Sequence, residues 1–349
     1  MKSEHWTPHL VRLLLATSLH HAATTARAIP EAVFQPDARG SHGAVASEAI
    51  ECSAIGRDLL ARGGNAADAL VGTTFCVGVV GMYHSGIGGG GFALIRDADG
   101  GYEAVDFRET APAAAHEDMY RGNVNGSVLG GLAVAVPGEV RGLEYIHDKY
   151  GALPWKQVMR GAIHVARDGF RVSSDMVRYM DRAGGHREHN FLVDDPSFAE
   201  DFAPNGTLLG LGDVMTRKRY ADTLQTIADG GADAFYTGAL AEAMVETIRQ
   251  ANGTMTLADL ANYTVVSRPV KAVTYRGLRL HTVGAPASGA VTLSILKTME
   301  QFEAGAVDAG LAAHRFTEAM RFGYGARVAL GDPDYVAGVR AFEGRMLSD

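Results

Sequence analysis

The sequence has no apolar run long enough to cross a bilayer. No stretch approaches about 20 uninterrupted apolar residues, so no segment reads as a transmembrane helix. A basic surplus is also missing: 32 Lys and Arg stand against 40 Asp and Glu, a formal net charge of −8 without a basic stripe. That argues against nucleic acid or an anionic membrane as partner and leaves a small molecule. Cysteine is scarce, with two in 349 residues, and there is no internal repeat, low-complexity tract or charge block. What is present, 47% apolar and 21% charged residues, supports one large core or two smaller ones.

The N-terminus reads separately from the fold. Leu10 to Leu19 is a short apolar run with Lys2 and Arg12 around it, followed by Ala26-Arg27-Ala28. This pattern predicts a signal peptide over 1–28, an approach segment over 29–43 and a single domain over 44–349. Asn-x-Ser/Thr triplets at Asn125, Asn205, Asn252 and Asn262 are candidate N-glycan acceptors, and they account for four of the seven asparagines. Leader and triplets together predict the secretory pathway, with an extracellular or vacuolar destination.

Within the domain, Ser47 is placed to cap a helix whose Cys52, Ile55 and Leu59 share a face and which Gly63-Gly64 ends. Asn65 caps a second helix to about Val80, with Asp68 in its first turn. Cys52 and Cys76 are equidistant from residue 64, so in an antiparallel hairpin they lie side by side, within reach of a disulfide. Two buried free thiols are the alternative, and the secretory reading favours the bond. Gly86-Ile87-Gly88-Gly89-Gly90-Gly91 satisfies G-x-G-x-x-G, but a helix precedes it and the strand Phe92 to Arg96 follows. A dinucleotide fingerprint requires the reverse order, so close backbone packing is the better account.

A turn at Asp99-Gly100-Gly101 and the strand Tyr102 to Phe107 complete a β-hairpin, leaving Arg108 at a strand exit. Helices are expected over Glu139–Tyr150, Trp155–Asp168, Ala221–Asp229, Ala239–Gln250, Leu257–Ala261, Gly289–Phe302 and Ala312–Ala329. Strands are expected near Leu132–Val136 and Ala272–Val283. The class is α+β, a mixed sheet with helices on its faces. His186-Arg187-Glu188-His189 lacks a third ligand and reads as solvated loop, so no metal is expected. His84 and Ser85 stand just before the glycine run, where a place near the pocket is one reading and turn or packing roles are the simpler one.

The chain resembles the γ-glutamyltransferases, also called glutathione hydrolases. The resemblance rests on Ala44-Val45-Ala46-Ser47-Glu48, Gly63-Gly64-Asn65-Ala66-Ala67-Asp68-Ala69, the glycine run, and Asp106-Phe107-Arg108-Glu109-Thr110-Ala111-Pro112. It continues through Val134-Ala135-Val136-Pro137-Gly138, Ala166-Arg167-Asp168-Gly169-Phe170, Ala285-Pro286-Ala287-Ser288-Gly289 and Leu330-Gly331-Asp332-Pro333. It implies an N-terminal-nucleophile hydrolase αββα sandwich, of which this chain is the large-subunit part, without the small subunit.

The implied chemistry is acyl transfer. A threonine freed by self-cleavage attacks the γ-glutamyl carbonyl of glutathione or a related compound, with its own amine as base and no cofactor, and water or an amino acid resolves the acyl-enzyme. Arg108 matches the arginine that holds the substrate α-carboxylate, the alternative being a structural ion pair with a neighbour such as Asp106 or Glu109; Cys52 and Cys76 resemble the disulfide pair of animal members. The Gly-Thr steps at Gly72-Thr73, Gly206-Thr207 and Gly253-Thr254 lack the context of the nucleophile. The expectation is therefore a C-terminally truncated region, with the catalytic threonine beyond Asp349 on a small subunit of the same precursor. The alternative is a non-catalytic paralogue that binds γ-glutamyl ligands or a partner subunit.

Overall fold

The computed structural model describes residues 43–184, 189–303, 305 and 307–348; the expected leader and His186 to Glu188 lie outside them. The body that begins at Val45 is built on a helical hairpin, α1 (Ile50–Ala61) and α2 (Ala66–Val80). Gly63, at φ 89°, and Gly64 end α1 by donating to the Leu60 and Leu59 carbonyls, a turn that needs the left-handed conformation glycine adopts freely. Asn65 and Asp68 form a reciprocal capping box at the start of α2. Ser47 does not cap α1. Its hydroxyl bonds Ser53 and the Ala49 carbonyl instead, and the helix begins at Ile50 without a side-chain cap.

α2 is apolar around most of its circumference, as a helix enclosed by others must be. Val71, Phe75, Cys76 and Val79 are inaccessible to solvent, and the helix packs against α1, α3 (Glu139–Tyr150) and α4 (Trp155–Asp168). Cys52 and Cys76 are joined as a disulfide across the hairpin, with Cα atoms 5.3 Å apart. Asp68 is fully buried and accepts amide hydrogen bonds from Asn65 (2.8 Å), Ala152 (3.1 Å) and Leu153 (3.2 Å), tying α2 to the α3–α4 connection.

β1 (Phe92–Arg96) and β2 (Tyr102–Asp106) form the expected hairpin, with Phe92 opposite Asp106. Further along come β3 (Phe170–Arg171), α5 (Ser174–Gly184), α6 (Phe191–Asp194), α7 (Pro196–Phe202) and β4 (Val214–Met215). Then follow α8 (Lys218–Gly230), α9 (Asp233–Tyr236), α10 (Gly238–Gln250), α11 (Leu257–Ala261), β5 (Val266–Arg268), β6 (Val270–Tyr275) and β7 (Leu278–Val283). The order closes with α12 (Gly289–Glu300), α13 (Ala309–Arg327) and α14 (Val339–Met346). Strand β5 joins β2 in the order β1-β2-β5, and β3-β4 and β6-β7 pair separately.

Every pairing among the described strands is antiparallel, so the expected mixed sheet is not formed. Two strand assignments also change. Leu132–Val136 is no strand: Gly131–Ala133 is a 3-10 turn, and only Val136 bridges, to Thr110. Ala272–Val283 is two strands, because Arg276 (φ 49°) and Gly277 (φ 79°) make a two-residue turn between β6 and β7.

Candidate active site

The exit of β2 forms one wall of a cleft of about 970 Å3, whose other walls come from residues 259–268, 286–288 and 327–335. Local chemistry fixes this exit. The Phe107 amide and carbonyl pair with Gly91 (3.0 and 3.2 Å), which prolongs the hairpin by one step. The Arg108 amide donates to Asp106 Oδ1 (3.0 Å), and the Arg108 carbonyl accepts from the Tyr263 hydroxyl (2.8 Å). Thr110 and Val136 exchange backbone hydrogen bonds, and Asp259 accepts from the Ala113 amide (2.8 Å).

Burial raises the Tyr263 pKa, reinforced by Tyr236 and the charges of Asp106 and Glu109, so the phenol stays a donor. Gly138 packs where a Cβ would run into the Phe107 carbonyl and the Tyr263 hydroxyl. The latch on Arg108 therefore depends on that glycine.

Arg108 is exposed to the cleft, and its guanidinium makes no ion pair or hydrogen bond among the described residues. Asp106, the neighbour that would most simply neutralise it, is held by Arg268. Arg268 Nε lies 2.5 Å from Asp106 Oδ2, and its other nitrogens lie 3.2 Å from Asp332 and 3.0 Å from Asp334. Burial works against the Arg268 charge, but the Asp106 hydrogen bond and the charges of Asp106, Asp332 and Asp334 outweigh it and raise the pKa. The alternative of a structural ion pair between Arg108 and Asp106 or Glu109 is thus not realised.

A smaller recess of about 320 Å3 lies beside the glycine run and shares Glu109 with the cleft. Glu139, the first residue of α3, lines it and is almost fully buried. Its Oε2 accepts from the Ser85 hydroxyl (3.1 Å), while Oε1 has no partner. Burial pushes its pKa up to about 7, opposed by the bonds from Ser85 and the Gly86 amide and reinforced by the Glu109 charge. The Gly138 and Glu139 amides both donate to the Gly89 carbonyl (2.8 and 3.0 Å), so the glycine run is strapped across the start of α3. His84 and Ser85 both line this recess, and His84 bridges two segments there, with Nδ1 2.6 Å from Glu48 and Nε2 2.7 Å from the Tyr179 hydroxyl.

A sequence model of the gamma-glutamyltranspeptidase family matches residues 52–349. The chain belongs to that family. It is similar to the glutathione hydrolase proenzyme of Arthroderma benhamiae, 53% identical over 323 residues that cover 89% of this chain and 55% of that protein. It is also 52% identical over 310 residues to the glutathione hydrolase of Aspergillus flavus, covering 88% and 51%. The crystal structure of Helicobacter pylori gamma-glutamyltranspeptidase superposes with a TM-score of 0.81 at 33% identity, covering 89% of this chain and 93% of that one. The chain spans about half the length of the curated relatives it matches.

Gamma-glutamyltranspeptidase membership gives the described body the N-terminal-nucleophile hydrolase fold, in its large-subunit region. Of the candidate site residues named from the sequence, Arg108 and Asn262 line the cleft, and the motifs beginning at Asp106, Ala285 and Leu330 supply much of the rest of its wall. All four Asn-x-Ser/Thr asparagines are exposed, and the disulfide lies away from the cleft wall. His189 is exposed, 4.0 Å from Asp194. Among the described residues no three His, Cys, Asp or Glu are grouped to hold a metal, and no helix is long and apolar enough to cross a membrane. Sequence reasoning missed Tyr263, Arg268 and Arg327 as cleft residues, and nothing in their local sequence announces them.

Proposed function

We propose that this chain supplies the γ-glutamyl-binding wall of a glutathione hydrolase, which transfers the γ-glutamyl group of glutathione or its conjugates to water, an amino acid or a peptide. The observation that carries this reading is Arg108: a guanidinium in a cleft, with its backbone held on both sides and its nearest acid occupied by Arg268. A planar fork of donors left unpaired suits a carboxylate, which it grips with two parallel hydrogen bonds. Glu109 offers an unpaired carboxylate next to it for the ammonium of the same amino-acid head group.

With the γ-glutamyl head group so held, its γ-carbonyl faces a threonine of the small subunit from the same precursor. The threonine hydroxyl attacks, the α-amine takes the proton, and cysteinylglycine leaves; water or an amine then releases the acyl group. No cofactor enters. The exposed acceptor asparagines and the disulfide support passage through the secretory pathway, to an extracellular or vacuolar destination.

The test is release of p-nitroaniline from γ-glutamyl-p-nitroanilide by the assembled enzyme. Wild type turns the substrate over, and Arg108→Lys raises KM about tenfold or more, because a point charge replaces a bidentate fork. No turnover by wild type overturns the activity, and an unchanged KM in the variant overturns the role of Arg108.

A further inference from the structure

Three guanidiniums line the cleft, and they differ in what they have left to give. Arg268 is buried and saturated by Asp106, Asp332 and Asp334. Arg108 is unpaired. Arg327, at the last residue of α13, is also exposed, and its one partner is the Ser288 hydroxyl, to which Nε donates at 3.3 Å. No carboxylate pairs with Arg327 among the described residues, so its two terminal nitrogens keep their donors.

A cation at a helix C-terminus is favoured by the free carbonyls there, and that gain requires no cleft. Ser288, however, belongs to the start of α12, across 39 residues of chain, and it holds this arginine at the cleft wall. The acids on the same wall do not neutralise it: Asp332 and Asp334 are committed to Arg268, and Asp259 to the Ala113 amide and to Thr256. The cleft therefore presents two separate uncompensated guanidiniums, and its volume exceeds what a single amino-acid head group fills.

We propose that Arg327 is a second carboxylate anchor, which binds the carboxylate at the far end of an extended γ-glutamyl peptide while Arg108 holds the α-carboxylate at the near end. This rests on the γ-glutamyl reading of the cleft. It makes the donor preferred by this protein a dicarboxylate such as glutathione, rather than a γ-glutamyl amide with a neutral tail. Ser288 is then a positioning residue, since it acts through Arg327.

The experiment compares kcat/KM of the assembled enzyme for glutathione and for its C-terminal amide, which keeps the shape and lacks only the far charge, with γ-glutamyl-p-nitroanilide as a common reference. Wild type prefers glutathione over the amide by about tenfold, the size of one charge-assisted contact. Arg327→Gln levels that preference, Arg327→Lys keeps part of it, and Arg108→Lys weakens all three donors alike. Turnover of the anilide with no preference for glutathione over its amide in wild type overturns the second anchor. An Arg327→Gln enzyme that retains the preference does the same. Failure of wild type to turn over any donor overturns the γ-glutamyl reading itself.

Discussion

Glu139 makes the stability of this protein depend on pH in a direction opposite to that of most carboxylates. In water a glutamate titrates near 4.5, whereas in the fold burial moves Glu139 to about 7. Below pH 4.5 the folded and unfolded chains both carry the proton, and the site costs nothing extra. Between 4.5 and about 7 the unfolded chain releases the proton while the folded one keeps it, so stability falls as pH rises. Above that window the deficit is complete. At 1.36 kcal/mol per pKa unit it amounts to about 3 kcal/mol.

Glu139→Gln isolates this contribution. The amide is neutral at every pH and can accept from the Ser85 hydroxyl as the acid does. Urea unfolding of wild type and variant at pH 5, 6, 7 and 8 gives the difference directly, since all other groups titrate alike in both. The variant should be more stable by roughly 1 kcal/mol or a little less at pH 5, where the unfolded chain already releases most of its proton, and by about 3 kcal/mol at pH 8. Parallel curves across the range would refute the reasoning, because they would mean that Glu139 has no protonation state of its own to change on unfolding.

Replacing Cys52 and Cys76 together by serine should cost about 3.5 kcal/mol, the loop-closure term for a separation of 24 residues. Reductant should lower the Tm of wild type and leave that of the variant in place. Gly138→Ala should push apart Phe107 and Tyr263 and loosen Arg108, raising the KM for γ-glutamyl-p-nitroanilide along with a loss of stability. Gly344→Ala, which meets nothing within 4 Å, is the control and should stabilise α14 slightly.

How much of this could be read from the sequence depends on how local the signal was. The helices α3 and α4 were legible to the residue, because Gly138, Gly151, Pro154 and Gly169 punctuate a strong apolar stripe. The hairpin carrying Arg108 was legible for the same reason. The alternation Leu132-Ala133-Val134-Ala135-Val136 misled, since Gly131 fits tightly against the backbone of Ile248 and Gly253, and that packing bends the chain before a ladder can form. The β6–β7 turn was missed because Arg276-Gly277 does the work usually signalled by Asn-Gly.

The cleft was half legible. Arg108 stood out through the resemblance of Asp106–Pro112 to the family motif, but what leaves it unpaired is Arg268, which is 162 residues from Asp106 in sequence. No window of residues contains that competition. Arg327 likewise gains meaning only when Ser288 and the cleft are placed beside it.

The grip of Arg268 on Asp106, Asp332 and Asp334 also sets a timetable for the newborn chain. At a synthesis rate of about 5–20 residues per second, roughly 10 to 30 s pass between the emergence of residue 106 and that of residue 268. During that interval Asp106 lacks Arg268, the partner that neutralises it when buried, and stays in water. The wall that carries Arg108 therefore cannot close as the hairpin is made. It waits for strand β5, and then for Asp332 and Asp334, so the cleft is among the last parts of this body to mature, and a chain stopped before residue 332 holds every helix through α13 but not the acids that complete the cleft.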